Sequence, residues 1–186
     1  MKDTGFGVED KKISRLMSTY GASNFKEIMN IGPHILKETD VSPHNPFDKG
    51  KTFRRGGTGL FSTSSDFLKF ARMLLSGKSQ SGEILLSKNM VEFMKLNRIP
   101  NNQLPLMLGP LPLIGYGWNL IGRTVLDRGQ MLSQTGDNEF GWAGAACTYF
   151  WVDPDLDLTA IIMTQYLGSM WPINDDLKAA IYQALD

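Results

Sequence analysis

Residues 140–165 read FGWAGAACTYFWVDPDLDLTAIIMTQ, and this stretch decides the fold of the C-terminal part of the chain. Residues 148–152 have the β-branched and aromatic composition of a strand, and Asp153-Pro154-Asp155 has that of a turn. Residues 158–165 are mostly apolar, which is typical of a strand in the middle of a sheet. Because the turn is short, we expect the two strands to be antiparallel neighbours.

Outward from this stretch, three helices are predicted by capping residues and apolar spacing. Thr63 can cap a helix that ends at Gly77, with Asp66 in capping-box position. Ser87 can cap a second helix and Asn174 a last one. The side chains expected to face the core are Phe67, Phe70, Ala71, Leu74, Leu75, Met90, Val91, Met94, Leu177, Ala180, Ile181 and Leu185.

Two weaker patterns complete the fold prediction. The spacing of Ile13, Leu16, Met17 and Tyr20 predicts a helix that ends at Gly21, and the alternation in residues 116–121 predicts a strand. Helices followed by antiparallel strands and a final helix indicate an α+β fold in which an antiparallel sheet packs with helices. We expect one domain over residues 1–186, mainly helix and loop over 1–110, with antiparallel strands and the terminal helix over 111–186.

The composition is that of a globular protein. The 186 residues are 42% hydrophobic and carry 19 basic and 19 acidic side chains, which argues against disorder and against a nucleic-acid partner. Cys147 is the only cysteine and allows no internal disulfide. Leu104–Ile114 is too short and too rich in proline to cross a bilayer, so we expect no membrane partner. No signal-peptide pattern is present, which favours a cytoplasmic location for the chain as it stands and leaves the compartment of a longer parent protein open.

Ser23 and Lys26 form a Ser-x-x-Lys match, the spacing at which serine acyl-transfer enzymes hold a nucleophile and its lysine base. About one such match is expected by chance in a chain of this composition, so we do not assign the nucleophile to Ser23. Cys147 is expected to be a small buried residue at the start of a strand.

The remaining polar clusters do not match known cofactor patterns. His34 and His44, with Glu38 and Asp40 nearby, lack the spacing of a metal site. The cluster Gly56–Gly59 lacks the Lys-Ser/Thr pair of a phosphate loop and favours a tight turn. We therefore expect neither a metal nor a cofactor.

Two segments keep alternative interpretations open. The small residues that surround Trp142 in residues 140–146 either let a ligand approach the strand or relieve crowding against a neighbouring element. The proline-stiffened loop Leu104–Ile114 either lines an acyl or aromatic pocket or covers the core.

Several segments, taken in order, resemble the class C β-lactamase-related serine hydrolases and carboxylesterases of the penicillin-binding-protein-like superfamily. They are MKDTGF (1–6), GGTGLFSTSSD (56–66), FARMLLSG (70–77), FGWAGA (140–145), FWVDP (150–154) and MTQ (163–165). The resemblance covers the chain as the C-terminal half of such a protein.

This resemblance implies a set of site residues. The family's third catalytic motif matches Trp142-Ala143-Gly144, which would border the substrate, and the backbone N–H of Ala145 would be one oxyanion donor. The family's Ser-x-x-Lys and Tyr-x-Asn motifs normally precede the segment matched by residues 1–6. Ser23 lies on the wrong side of that segment, and no tyrosine is followed two residues later by asparagine.

The resemblance therefore implies the C-terminal half of a serine hydrolase that forms an acyl-enzyme on small esters or amides and is inactive alone. Trp142 stands where a β-lactamase or peptidase usually places a cation for the substrate carboxylate, which favours an esterase. The alternative is a non-catalytic binding or pseudo-enzyme module on the same scaffold. The expected partners are a complementary N-terminal half or, through self-association, a second copy in a homodimer.

Overall fold

The structure is a computed structural model of the chain and describes residues 1–22, 38, 57, 59–168 and 173–185. The chain divides into two compact units. The first comprises Met1–Phe67, Gly144–Thr148 and Ile162–Trp171, and the second comprises Leu68–Ala143, Tyr149–Ile161 and Pro172–Asp186. Several residues named above lie outside the described residues: Ser23, Lys26, His34, Asp40, His44, Gly56 and Thr58.

The described residues contain three α-helices and nine strands. The helices are α1 (Ser64–Ser76), α2 (Lys88–Lys95) and α3 (Ile173–Gln183). Short 3₁₀ helices occupy Asp10–Arg15, Asn101–Gln103 and Arg128–Gln130. The strands are β1 (Tyr20–Gly21), β2 (Leu106–Leu108), β3 (Leu111–Leu113), β4 (Tyr116–Trp118), β5 (Arg123–Val125), β6 (Phe140–Ala143), β7 (Tyr149–Asp153), β8 (Leu158–Ile162) and β9 (Tyr166–Leu167).

The second unit is built on a five-stranded sheet in the order β4-β5-β6-β7-β8. The β4–β5, β5–β6 and β6–β7 pairs are antiparallel, and Phe140 lies opposite Val152. These two side chains pack with Ala71 and Leu74 of α1 to form a core cluster in which no member is more than 3% exposed. The predicted α+β class, an antiparallel sheet packed with helices, is confirmed.

Helix α1 forms as the sequence predicts. The N–H of Asp66 donates to Oγ1 of Thr63, and Gly77 ends the helix with φ 74°. Ala71 and Leu74 are buried, but Phe70 is 36% exposed. The prediction that Phe70 faces the core is therefore wrong, because Phe70 lies about 100° around the helix from Ala71, which is 0% exposed.

In helix α2, too, the predicted N-cap is confirmed and one residue predicted to face the core is exposed. The Oγ of Ser87 accepts from the N–H of Met90, which confirms the predicted cap. Val91 is 6% exposed and Met94 is partly buried, whereas Met90 is 45% exposed. The inward position predicted for Met90 is wrong, since a helix of eight residues buries only a narrow stripe.

The predicted helix over residues 13–20 is wrong. A 3₁₀ helix ends at Arg15, and it places Lys12 and Arg15 at 2.7 and 3.0 Å from the carboxylate of Asp3. Hydrogen bonds from Arg15 and Lys12 lower the pKa of Asp3 to about 2. Tyr20 and Gly21 then form β1, parallel to β9, so these long-range contacts replace a local helix.

The buried face predicted for α3 is also wrong. Leu177 is 37% and Leu185 is 43% exposed, and Ala180 is exposed as well, whereas Lys178 and Tyr182 are 2% and 8% exposed. Charged and phenolic groups take the inward positions because the sheet offers them buried carboxylates.

The strands lie close to their predicted positions, but their ends differ from the predicted ends by a few residues. The strand predicted over 116–121 stops at Trp118, because Oδ1 of Asn119 accepts from the N–H groups of Ile121 and Gly122 and forms a turn. The strand predicted over 158–165 ends at Ile162. The segment expected to be a loop, Leu104–Ile114, contains the antiparallel β2–β3 hairpin.

Gly77 and Gly82 both have a positive φ, but they differ in the space around them, so the two allow the cost of backbone strain to be measured apart from the cost of crowding. A Cβ added at Gly77 (φ 74°) would lie 2.5 Å from the carbonyl oxygen of Leu86, whereas one at Gly82 (φ 89°) would meet nothing within 4 Å. We expect Gly82→Ala to lower the free energy of unfolding by about 1 kcal/mol through strain. Gly77→Ala should cost about 1–3 kcal/mol more, because the backbone must move. Urea denaturation measures both, and equal losses would contradict the assignment of crowding to Gly77.

Candidate functional site

Strand β6 carries the first two residues of the Trp-x-Gly segment. Trp142 lies opposite Phe150 and Ala143 opposite Tyr149 in the β6–β7 pair. The ring of Trp142 is partly buried and makes an edge contact with Trp118, at 4.4 Å between ring centroids. Ala143 is exposed, so the strand ends at the surface of the second unit.

The small residue that precedes Trp142 is explained by strand packing. A Cβ on Gly141 would lie 2.1 Å from the backbone carbonyl oxygen of Phe150. A Cβ on Gly122 would in turn lie 2.5 Å from the carbonyl oxygen of Gly141. Crowding against neighbouring backbone therefore accounts for Gly141.

Residues 144–148 belong to the first unit and form a tight turn. The N–H of Gly144 donates to the carbonyl of Thr148 at 2.7 Å, and the N–H of Cys147 donates to the carbonyl of Gly144 at 3.0 Å. The Oγ1 of Thr164 donates to the carbonyls of Ala146 and Cys147 at 2.6 and 3.0 Å. The turn is thus fixed by hydrogen bonds on both sides of Ala145.

Ala145 itself is left open by this turn. It is exposed, and its N–H has no acceptor among the residues that the structure describes. A Cβ on Gly144 would lie 2.3 Å from Oγ1 of Thr148, while the carbonyl oxygen of Thr148 would be at an ordinary contact distance of 3.9 Å. Unlike Gly141, Gly144 therefore has a side chain rather than fixed backbone as its nearest obstacle.

Cys147 differs from the sequence prediction. It is partly buried and lies in the turn, with φ 56°, rather than buried at the start of a strand. The hydrogen bonds of its N–H and carbonyl hold this left-handed conformation.

The described residues show neither a metal-binding cluster nor a membrane-spanning helix. Within the described ranges, no group of three or more His, Cys, Asp or Glu side chains is placed to hold a metal ion. No described helix combines the length and apolar character that a membrane span needs. Glu38 is described and forms an isolated bridge with Tyr20, while the histidines lie outside the described residues.

The sequence matches the family described as Beta-lactamase over residues 1–184. The chain belongs to the beta-lactamase family. The resemblance to beta-lactamase-related proteins, inferred from the residues alone, is thereby confirmed.

Two curated proteins from Mycobacterium tuberculosis are similar to the chain. They are Protein Rv1367c of strain H37Rv and Uncharacterized protein MT1414 of strain CDC 1551 / Oshkosh. Each is 29% identical over 170 residues, which is 89% of this chain but 40% of the relative. The chain therefore spans less than half the length of these relatives.

Two solved structures share the fold of the chain. EstCE1, a hydrolase with promiscuous acyltransferase activity, superimposes with a TM-score of 0.70 at 17% identity, over 97% of this chain and 46% of that one. Simvastatin synthase (LovD) from Aspergillus terreus gives a TM-score of 0.71 at 18% identity, with the same coverage. At this identity the likeness concerns the fold.

A buried ionic group that the sequence did not predict holds the five-stranded sheet of the second unit to its neighbours. Glu139, which directly precedes β6, is fully buried and forms an ion pair with Lys178 of α3. Its carboxylate also lies 3.5 Å from Arg123 of β5 and accepts from the hydroxyl of Thr135 at 2.5 Å. One carboxylate thereby joins two strands, a loop and a helix.

A second buried carboxylate lies on the next strand. Asp153 at the end of β7 is fully buried and accepts from the hydroxyl of Tyr182 at 2.5 Å. It also accepts from the N–H groups of Gly136 and Asp155 at 2.8 and 3.1 Å. Asp153 thus connects the same loop and the same helix as Glu139.

The electrostatics of α3 follow from this burial. Burial lowers the pKa of Lys178 below its ordinary value of 10.5, although the attraction of Glu139 opposes the shift. Burial and the hydrogen bond to Asp153 raise the pKa of Tyr182 above 10.0. The available sequence signal was the pair Lys178 and Tyr182, four residues apart on one helix face, with carboxylates at the ends of two predicted strands.

Breaking this ionic group should destabilise the second unit. Among the described residues, Lys178→Met leaves buried Glu139 with Arg123 as its remaining cation, and we expect the change to cost about 3–5 kcal/mol of unfolding free energy. Lys95→Met is the matched control, since Lys95 pairs with Glu92 on the surface of α2 and should cost about 0.5 kcal/mol. The double variant Glu139→Gln/Lys178→Met should cost less than the sum of its single changes. Additive costs in chemical denaturation would contradict the coupling.

The same pair predicts a pH dependence. Between the lowered folded-state pKa of Lys178 and 10.5, the unfolded chain binds a proton that the folded chain has released. The free energy of unfolding should therefore rise with pH in that window. Above pH 10.0 the raised pKa of Tyr182 acts in the opposite direction, because the unfolded tyrosine ionises first. In chemical denaturation at a series of pH values, Lys178→Met should remove the rise of the unfolding free energy with pH and leave its decline above pH 10.0.

Proposed function

We propose that this chain supplies one wall of the active site of a serine hydrolase that cleaves small esters through an acyl-enzyme. The observation that carries the proposal is the turn after β6, in which Ala145 is exposed and its N–H has no acceptor among the described residues. In the family pattern this N–H belongs to the oxyanion hole. EstCE1 is a hydrolase with promiscuous acyltransferase activity and LovD is a simvastatin synthase, and these activities support acyl transfer as the reaction class.

The proposed chemistry needs groups beyond Trp142–Ala145. A serine oxygen attacks the ester carbonyl, its proton passes to a base, and the negative oxygen is stabilised by two N–H donors. The alcohol leaves with the proton, and water then releases the acid from the acyl-enzyme. The N–H of Ala145 would be one donor, and the other would be the N–H of the nucleophile itself.

The residues of the third motif favour esters over β-lactams. Trp142 carries no charge, so it cannot pair with the carboxylate that β-lactam substrates present. Its partly buried ring offers an apolar wall instead.

We further propose that the nucleophile comes from a complementary N-terminal segment. The one Ser-x-x-Lys in the sequence is at Ser23, and no Tyr-x-Asn is present. Large apolar side chains such as Met107, Leu108 and Leu111 are more than half exposed, which favours association with that segment or with a second copy of the chain.

The first test is complementation. The purified 186-residue chain should not hydrolyse p-nitrophenyl butyrate or a chromogenic cephalosporin, because it lacks the assigned nucleophile and base. Co-expression with the portion of Rv1367c that the match leaves uncovered should restore ester hydrolysis. Light scattering should show a complex with that portion, or a dimer of the chain alone. Turnover by the isolated chain that disappears in Ser23→Ala would overturn the proposal, and a complex without hydrolysis would favour a non-catalytic module.

The second test addresses the motif in the complemented enzyme. Gly144→Val should shift the backbone before Ala145 and lower kcat about 100-fold or more, the range for a lost oxyanion donor. Adding Thr148→Ala removes the Oγ1 that lies 2.3 Å from the new Cβ and should recover part of the rate. Trp142→Ala should change substrate preference more than folding stability. Wild-type kinetics in both Gly144→Val and Trp142→Ala would show that these residues do not border the acyl site.

A further inference from the structure

Three buried polar atoms on one face of the five-stranded sheet have no hydrogen-bond partner among the described residues. They are Nε of Arg123, Oε1 of Glu139 and Nε1 of Trp151. Glu139 and Trp151 are fully buried, and the side chain of Arg123 is 16% exposed. Because an unpaired polar atom is costly in a protein interior, three such atoms on one face indicate a further partner.

The strand register places the three side chains on the same face of the sheet. Arg123 of β5 lies opposite Gly141 of β6, and Gly141 lies opposite Trp151 of β7. Residues that lie opposite each other share a face, and so do residues two positions apart, which adds Glu139. This is the face that α3 covers, since Lys178 pairs with Glu139.

The three side chains are also close to one another. Arg123 and Trp151 are separated by two strand spacings, about 10 Å, and Gly141 between them has no side chain. The ring of Tyr149 contacts both: its centroid lies 4.9 Å from Cζ of Arg123 and 5.3 Å from the ring centroid of Trp151. Nη2 of Arg123 lies 3.5 Å from Oε1 of Glu139. The three unpaired atoms therefore belong to one interior site.

The edge of the guanidinium that faces Glu139 carries an unused donor. Nε and Nη2 share one edge of this planar group, and Nη2 is the nitrogen next to Oε1. Their separation of 3.5 Å is longer than the roughly 2.7–2.9 Å of a charge-assisted hydrogen bond, so the two ions are close without being bonded. Oε2, the other carboxylate oxygen, accepts from Thr135 and pairs with Lys178. Oε1 and the Nε–H are thus available to a third molecule.

The two donors and the acceptor together select an uncharged ligand. A halide would accept from Arg123 and Trp151, but it would also lie beside the negative charge of Glu139. A metal cation would meet two N–H donors, which cannot ligate it. Water both accepts and donates, and a buried water makes about three hydrogen bonds. The chemistry of the site therefore fits water.

We propose that one buried water molecule binds between Arg123, Trp151 and Glu139. It accepts from the Nε–H of Arg123 and from the indole N–H of Trp151, and it donates to Oε1 of Glu139. The water thereby joins three adjacent strands beneath α3. This site does not depend on the proposed function, because none of its residues belongs to the Trp-x-Gly segment.

The first measurement is a pair of water-selective NOE and ROE spectra of the ¹⁵N-labelled 186-residue chain. The indole N–H of Trp151 and the Nε–H of Arg123 should each show a cross-peak to water, with opposite signs in the two spectra. That sign pattern reports a long-lived bound water. Direct hydrogen exchange with solvent gives peaks of the same sign in both spectra and is thereby distinguished.

Two control variants test whether a neighbouring hydroxyl relays the signal. Thr135→Val removes the hydroxyl that donates to Glu139, and Tyr149→Phe removes the hydroxyl of the ring beside Arg123 and Trp151. Each change keeps the shape of its side chain. The cross-peak at the indole N–H of Trp151 should remain in both variants.

An isosteric replacement removes one partner of the water. Benzothienylalanine in place of Trp151 exchanges the indole N–H for sulfur at nearly the same volume. It should abolish the water cross-peak at the Nε–H of Arg123 and lower by one the number of long-lived waters counted by ¹⁷O relaxation dispersion. The same replacement at Trp118, outside the site, should leave that number unchanged.

The outcomes separate water from its alternatives. Exchange of chloride for sulfate in the buffer should leave the indole resonance of Trp151 in place, and a shift that saturates with chloride would assign the site to an anion instead. Cross-peaks that are missing, that have the same sign in both spectra or that vanish in Thr135→Val or Tyr149→Phe would overturn the water site. An unchanged water count after the replacement of Trp151 would overturn it as well.

Discussion

Glu139 brings a carboxylate into the interior of the second unit, and the surrounding elements are arranged to satisfy it. Lys178 reaches it from α3, Arg123 from β5 and Thr135 from the preceding loop. An isolated buried carboxylate would cost many kcal/mol, so these partners must assemble together for the sheet to close. With Asp153 included, the group contains two cations and two carboxylates and is neutral as a whole.

This ionic group gives the sheet two different faces. Side chains alternate along a strand, so Phe140 faces one side and Glu139 the other. On the first side Phe140 and Val152 pack against Ala71 and Leu74 of α1. The other side holds the carboxylates, and α3 covers it. Apolar packing alone tolerates several arrangements, whereas the paired charges accept one position of α3.

The parts of the fold that depend on local chemistry could be predicted from the sequence. Thr63, Gly77 and Ser87 mark helix ends through hydrogen bonds and backbone angles within a few residues, and all three were correct. The face of α3 depends instead on carboxylates some 25 to 39 positions earlier in the chain, and apolar periodicity ranked Leu177 above Lys178. The helix predicted near Tyr20 failed for the same reason, since β1 exists only through its pairing with β9.

The candidate site at Trp142–Ala145 stays a prediction from the family's third motif, and the packing around its individual residues could not be predicted from the sequence. Periodicity could not distinguish Gly141, where a Cβ would be crowded by the carbonyl of Phe150, from Gly144, where the closest obstacle is the side chain of Thr148. That difference has a consequence for Trp142. A register shift of one residue in β6 would place a side chain where Gly141 now passes the β7 backbone, and it would draw Glu139 away from Lys178. Gly141 and Glu139 therefore fix the register of β6. Because these two residues hold the strand, the ring of Trp142 can present an apolar wall.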